Sequence, residues 1–220
     1  MTVVAFVGGT GPAGFGLAAR FARAGDEVVI GSRALERAEA TRAHVLEHVP
    51  EARISAKLNP EAVAAGDVVF LTMPPVAQRE SVAGLADVLD GKIVVSMANP
   101  LTVKKGTIET WFPPAGSLAE EVQQVVPGAR VVGAFHEIHV KRFAKRDQPI
   151  DSDTIVTGDD EAAKQDVMRL ARHVDGLGPV DGGPLSNTRY VEGFVAVLIS
   201  INFRYKAGTA LRITGLPEGV

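Results

Sequence analysis

Val3-Val4-Ala5-Phe6-Val7-Gly8-Gly9-Thr10-Gly11-Pro12-Ala13-Gly14 decides how the rest of this 220-residue chain reads. Its first five residues are apolar and mostly β-branched, the composition of a strand buried on both faces. Glycines follow directly, and from Gly14 the pattern turns helical. Gly9-Thr10-Gly11-Pro12-Ala13-Gly14 matches G-x-G-x-x-G. That match is weak in isolation but specific where it leaves a strand and opens a helix inside a unit of about thirty residues. Gly9 is expected to permit the tight turn, Gly11 to let the backbone approach a pyrophosphate, and Gly14 to let helix and strand pack closely. Unpaired N–H groups at the helix start then face the phosphates. Gly9, Thr10, Gly11, Pro12 and Ala13 are therefore candidates for cofactor binding.

The end of the next apolar run selects the dinucleotide. NAD sites usually close their second strand with Asp or Glu, which accepts from the ribose 2′-hydroxyl. Here Val28-Val29-Ile30 is followed by Gly31-Ser32-Arg33, with no acid. A carboxylate would repel a 2′-phosphate, whereas Ser32 can donate to it and Arg33 can grip it as a charged fork. Arg37, one helical turn later, offers a second cation on the same face. The segment reads as an NADP site. Thr72-Met73-Pro74 and Ala98-Asn99 follow the fourth and fifth strands, where ligands gather at carboxyl ends, and are expected to close over the nicotinamide half.

Outward from this unit, β-branched runs alternate with helical stretches. Strands are expected at 2–7, 27–30, 53–57, 68–72, 93–96, 130–134, 154–157 and 178–181. Helices are expected near 14–24, 35–48, 60–65, 76–89, 118–126 and 161–173. This is the pattern of an α/β, Rossmann-type, doubly wound and mostly parallel sheet with a small C-terminal helical or α/β extension. Residues 1–150 read as the NADP-binding Rossmann portion and 151–220 as a C-terminal portion packed on it. From Ser186, a plausible N-cap, to about Lys206 runs one long helical stretch. Its apolar positions surround much of the helix and call for burial on several sides. A homodimer through it is one reading.

Composition narrows the function. Hydrophobic residues make up 46% and charged residues 22%, with no cysteine and a net charge of −3. Disulfides, thiolate nucleophiles and cysteine-held metals are excluded, and a reducing cytoplasm is the expected location. Without a long basic tract nucleic acid is not an expected partner, and no apolar run suits a membrane span. His136-Glu137-Ile138-His139 lacks zincin spacing, because position 140 is Val140; no metal site is expected. His44 and His48 read as a solvated helix face, and Trp111 as a loop anchor.

With these motifs in place, the chain resembles the NADPH:F-420 oxidoreductase family over essentially its whole length. The resemblance is carried by Val7-Gly8-Gly9-Thr10-Gly11, Gly31-Ser32-Arg33, Lys92-Ile93-Val94-Val95-Ser96, Val131-Val132-Gly133-Ala134-Phe135-His136 and Gly158-Asp159-Asp160. The most distinctive segment is Gly183-Pro184-Leu185-Ser186-Asn187-Thr188-Arg189. It implies an oxidoreductase passing a hydride between NADP and the 8-hydroxy-5-deazaflavin coenzyme F-420 (F420). The deazaflavin is implied beside the nicotinamide, with His136 and Ile138 as ring-positioning residues and no acid–base catalyst. Ser186, Asn187 and Arg189 are implied on the cofactor side. Hydride then passes directly between stacked rings, and positioning supplies the catalysis.

After His136 the chain departs from the family's small apolar pattern with Glu137-Ile138-His139-Val140-Lys141-Arg142. The run Lys141-Arg142-Phe143-Ala144-Lys145-Arg146 reads either as a solvated face or as a seat for the deazaflavin's anionic phospholactyl-glutamate tail. Two alternatives to the leading function stay open: an NADPH-dependent reductase of a small imine or ketone, and a non-catalytic NADP-sensing protein.

Overall fold

The computed structural model describes residues 2–104, 107–144 and 148–217, position 144 by its backbone alone. The chain begins with β1 (Val3–Val7), α1 (Pro12–Arg23), β2 (Glu27–Ser32), α2 (Leu35–Leu46), β3 (Ile54–Leu58), α3 (Asn59–Ala65) and β4 (Val68–Leu71). It continues through α4 (Pro75–Ala83), α5 (Ala86–Leu89), β5 (Ile93–Ser96), β6 (Leu101–Lys104), β7 (Thr107–Thr110), α6 (Leu118–Val125) and β8 (Arg130–Gly133). The last elements are α7 (Val140–Ala144), β9 (Ser152–Gly158), α8 (Glu161–Ala171), β10 (Leu177–Asp181), a 3₁₀ turn (Leu185–Asn187) and α9 (Thr188–Tyr205).

Eight strands form one sheet in the order β10-β9-β8-β5-β4-β1-β2-β3. Pairing is parallel throughout except between β8 and β9, whose antiparallel joint has only the register pairs Val132↔Gly158 and Gly133↔Thr157. The chain moves from β1 outward to β2 and β3, then returns to β4 on the other side of β1. That reversal leaves a crevice at the carboxyl ends of β1 and β4, the place where doubly wound sheets bind ligands.

The central strands alternate between two buried faces. Val4, Phe6, Val28, Ile30, Phe70, Val95 and Val132 pack under α1 and α8, while Ala5, Val7, Val29, Leu71, Val94 and Val131 pack under α3 and α6. Phe6, Phe21, Phe70 and Phe135 form the centre of the first face, with Phe70 5.2 Å from Phe6 and 5.3 Å from Phe135. Burying each such ring contributes about 1.5–3 kcal/mol. Phe135 holds a left-handed backbone (φ 64°) just past β8, and its N–H donates to Thr154 Oγ1 at 2.8 Å. A non-glycine residue there costs about 1–2 kcal/mol, which its buried ring offsets.

Several elements differ from expectation. The helix read over 76–89 is interrupted at Gly84-Leu85, where Leu85 leaves helical geometry; glycine is a poor helix interior and ends α4. The antiparallel pair β6–β7 and the short α7 were not expected. Ser186 does not cap the last helix: it lies in the 3₁₀ turn, and α9 starts at Thr188, whose hydroxyl donates to the Leu185 carbonyl at 2.6 Å. Nor is α9 buried on several sides. Val191, Glu192, Val195 and Leu198 face inward, whereas Tyr190, Phe194, Val197, Phe203 and Tyr205 are exposed, because one chain supplies cover on one side only.

A buried carboxylate ties α9 to α6. Both Glu192 carboxylate oxygens accept from the Leu118 N–H at 3.0 Å, and Oε1 accepts from the Ala119 N–H at 3.3 Å, satisfying donors that a helix start leaves orphaned. Burial, reinforced by nearby Glu120 and Glu121, nevertheless pushes the Glu192 carboxyl from 4.5 up to about 8. Between those values unfolding releases a proton, so stability fully present below the unfolded value drains away as pH rises towards the folded one. The slope is at most about 1.4 kcal/mol per pH unit. Glu192→Gln keeps the shape without the titration; denaturant midpoints measured from about pH 5 to 8 should fall less steeply in the variant. Equal slopes in the two proteins would contradict this assignment.

Candidate functional site

The turn from β1 to α1 shows what each glycine does. The left-handed residue is Gly8 (φ 71°), not Gly9. Gly9 instead packs where a β-carbon would sit 2.8 Å from Phe6 Cβ, and its N–H donates to the Gly31 carbonyl at 3.0 Å. A β-carbon on Gly14 would lie 2.8 Å from Gly9 Cα and 2.8 Å from Thr72 Oγ1, so α1 approaches the strand only because position 14 is bare. Around Gly11 nothing stands within 4 Å of a β-carbon, leaving its backbone open to the cleft. Gly11 is the N-cap of α1; Pro12 follows, with no side-chain cap and no acid in the first turn. Such a helix start presents free N–H groups and the positive end of its dipole to an anion.

A cavity of about 500 Å³ brings together Thr10, Gly11, Pro12, Ala13, Ser32, Arg33, Arg37, Thr72, Met73 and Pro74. These come from the carboxyl ends of β1, β2 and β4 and the first turns of α1 and α2; Gly8 lines the cavity as well, and Gly9 does not. Ser32 is nearly buried, and its oxygen accepts from the Ala34 N–H at 3.3 Å, which leaves the hydroxyl proton for a ligand. Among the described residues neither Arg33 nor Arg37 forms an ion pair, so two guanidinium charges face the cavity unneutralised. The same cavity is lined by Asn59, Ala77, Ser81 and Val140, which the motif reading did not single out. Asn59 Oδ1 accepts from the Gly8 N–H at 3.3 Å and stands 2.9 Å from where a Gly31 β-carbon would be. Its one sequence signal is an Asn-Pro pair ending β3. An adjoining hollow of about 430 Å³ between Arg33, Leu58, Pro60, Ser81 and Leu85 extends the cleft past Ser32.

A polar cluster sits at the carboxyl end of β5 and β8. Thr72 Oγ1 donates to the Val7 carbonyl at 2.9 Å, fixing the loop after β4. His136 Nδ1 donates to the Ala98 carbonyl at 3.1 Å, and Asn99 Nδ2 donates to the His136 carbonyl at 3.1 Å. Burial holds the imidazole down to about 4 despite that carbonyl, so the ring is neutral. With its proton on Nδ1, the bare Nε2 is an acceptor, and both it and Asn99 Oδ1 are buried without a partner among the described residues. Unpartnered buried polar atoms are scarce in folded proteins, and these two sit side by side across the Asn99–His136 hydrogen bond. Next to it, burial raises the Glu137 carboxyl to about 7, and the group is committed inward, accepting from Thr154 Oγ1 at 3.2 Å and the Ile155 N–H at 3.1 Å. Ile138 is 7% exposed and packs with the core face under α1.

Three expected residues stay out of this assembly. Ser186 is exposed, Asn187 Nδ2 donates to the Gly182 carbonyl at 2.8 Å, and Arg189 pairs with Glu120 at 2.6 Å. They secure the approach to α9 and line none of the cavities just described. Lys145 and Arg146 lie outside the described residues. The backbone N–H of Trp111 donates to the Pro100 carbonyl at 2.9 Å, a bond that does not depend on the indole.

Known proteins share both the sequence and the architecture. Residues 3–100 match the family described as "NADP oxidoreductase coenzyme F420-dependent". The F420-dependent NADP reductase of Methanocaldococcus jannaschii is 40% identical over 97% of this chain and 98% of its own length. That of Methanothermobacter thermautotrophicus is 36% identical over 98% and 96%. A solved Arthrobacter structure, described provisionally as an F420-dependent NADP reductase, superposes with a TM-score of 0.83 at 24% identity, over 98% of this chain and all of that one. An imine reductase from Bacillus cereus shares the fold at a TM-score of 0.62 and 17% identity, over 93% of this chain and 62% of its own. Identity of that degree with full-length curated relatives leaves one reading: the chain belongs to the coenzyme F420-dependent NADP oxidoreductases.

Proposed function

We propose that this enzyme passes a hydride between NADP(H) and coenzyme F420. The observation that carries it is the pair of unpaired guanidinium groups, Arg33 and Arg37, beside Ser32, where an NAD enzyme would hold a carboxylate. The α1 amides and the open backbone at Gly11 take the pyrophosphate. Ser32 and Arg33 hold the 2′-phosphate, with Arg37 adding charge. The hollow by Leu58 and Ser81 suits the adenine. Thr72, Met73 and Pro74 lie along the path towards the nicotinamide.

Coenzyme F420 supplies a deazaflavin ring able to accept or return a hydride. His136 Nε2 and Asn99 Oδ1, two buried acceptors, orient a ring N–H or a carboxamide; neither residue moves a proton, since the imidazole is already neutral. Ile138 supports the loop from within the core. The chemistry then rests on placing two rings face to face with water excluded.

Residues 1–150 form the NADP-binding portion in this reading, and 151–220 pack on it. The exposed Tyr190, Phe194 and Val197 face of α9 suits a homodimer; a monomer mass by light scattering at micromolar concentration would remove that element. No helix of the described residues is long and apolar enough to cross a membrane. A cysteine-free chain using a reduced dinucleotide fits the cytoplasm.

An NADPH-dependent imine or ketone reductase needs a proton donor beside the nicotinamide. Glu137 titrates in the right range but points at Thr154 and Ile155, away from the cleft. Mixing the protein with NADPH and oxidised F420 should bleach the deazaflavin's visible absorbance. Firm NADPH binding without bleaching would transfer the assignment to another acceptor. Arg33→Ala should weaken NADPH binding by about tenfold or more, a charge-assisted bidentate contact being worth roughly 1.5–3 kcal/mol, and leave NADH binding nearly unchanged. Equal losses for the two dinucleotides in a fluorescence titration would refute the 2′-phosphate assignment.

A further inference from the structure

The C-terminal end of α2 gathers three metal-ligating side chains beside the dinucleotide cleft. His44, Glu47 and His48 each offer a ligand atom, and these atoms all lie within 4.8 Å of one another. Positions four apart stand one above the other on a helix, and the position three along falls on the same face. Glu47 keeps helical backbone (φ −60°, ψ −26°) and the His48 N–H donates to the Val45 carbonyl at 3.0 Å, so this stacking persists past Leu46. His44-Val45-Leu46-Glu47-His48 also has the H-x-x-E-H order in which two histidines of certain zinc enzymes hold their ion. Glu47 is what the reading of His44 and His48 as a solvated face left out. Phe15 stacks on the His44 ring at 4.6 Å, and the two imidazole centroids are 5.2 Å apart. Stacking covers an imidazole's face and leaves its edge nitrogens to ligate. All three residues are exposed, and their side chains form no hydrogen bond or ion pair among the described residues. A cation held there also meets the negative end of the α2 dipole.

We propose that His44, Glu47 and His48 bind a divalent late transition-metal ion of the zinc class. Two imidazoles and one carboxylate form a recurrent zinc donor set, whereas magnesium and calcium call for oxygen donors. Three protein donors leave a coordination position for water. His44 also lines a hollow of about 430 Å³ with Thr10, Gly11 and Pro12, which places the ion next to the start of α1. No enclosed groove surrounds three exposed ligands, so the geometry carries metal binding and not hydrolysis. The site stands apart from the hydride-transfer reading and does not rest on it. Competing donors are few: the chain has no cysteine and five histidines, of which His136 is buried and His173 is bonded to Asp26.

The test titrates Co²⁺, a zinc surrogate with visible absorbance, into untagged protein free of dinucleotide, whose phosphates would themselves chelate the ion. A single equivalent should saturate the absorbance, Zn²⁺ should abolish it, and a large excess of Mg²⁺ should not. Zinc should also raise the thermal unfolding midpoint, as any ligand of the native state does. Losing even an outer-shell partner of a metal site costs roughly 10–100-fold in affinity, so His48→Ala should weaken zinc binding by at least about tenfold. Glu47→Gln, equally exposed and of the same shape, is the second variant and should also bind zinc more weakly, with its metal-free unfolding midpoint unchanged. His139→Ala is the control and should bind as wild type does. Absence of the cobalt absorbance, displacement by magnesium, full affinity in both α2 variants, or an equal loss in His139→Ala overturns the proposal.

Discussion

A β-carbon at position 14 would stand 2.8 Å from the backbone of Gly9, and this forbidden contact sets the geometry on which the cleft depends. Because Gly14 is bare, α1 descends onto β1 and its first amides open over the carboxyl edge of the sheet. Because Gly9 is bare, its N–H reaches Gly31 and the end of β2 is drawn alongside. Ser32 and Arg33 thereby arrive beside the same helix start. The first turn of α1 and the Arg33 and Arg37 guanidinium groups share one cavity through backbone proximity; no side-chain network is needed to align them.

The electrostatics of the cleft divide into two regimes. At the β2 end, the exposed Arg33 and Arg37 guanidinium groups face solvent, suited to an anion that arrives with its own hydration. At the β5 and β8 ends, His136 and Glu137 are buried and driven towards neutrality, the imidazole losing its proton and the carboxyl keeping one further up the pH scale. A neutral, dry environment suits hydride passing between two uncharged faces, and it keeps a mobile proton from competing for the same electrons. The left-handed Phe135 connects the regimes to the core: it turns the chain so that His136 overhangs the sheet while its own ring stays with Phe21 and Phe70.

Much of this was legible in residue order because it is local. Period-two alternation, the glycine spacing and the missing acid after Ile30 each report on neighbours a few positions apart, and each led to the observed strand, turn or cation. What escaped depends on distant partners. Leu101–Lys104 and Thr107–Thr110 are short, half-polar strands that pair only with each other, so neither carries a core-facing signature. Asn59 matters because it begins α3, which packs against both β1 and β2, and the Asn99–His136 pair exists because two loops from adjacent strands converge. Ser186 lies in a 3₁₀ turn and Arg189 pairs with Glu120, placements that depend on where α6 meets α9. The apolar wrapping of α9 was visible, but composition does not say whether the cover comes from the same chain.

The joint between β8 and β9 carries a consequence for how the molecule breathes. Six strands from β3 to β8 are laced by parallel ladders of four or five residue pairs, whereas β9 and β10 join them through two pairs only. Amide exchange in β9 should therefore report a sub-global opening at lower free energy than exchange in β1 or β4. The loop bearing Glu137 hangs from β9 through Thr154 and Ile155, so an excursion of that seam would loosen this loop while the β1–β2 end of the sheet stays shut. A sheet built this way has separate stiffness on the two sides of its antiparallel seam.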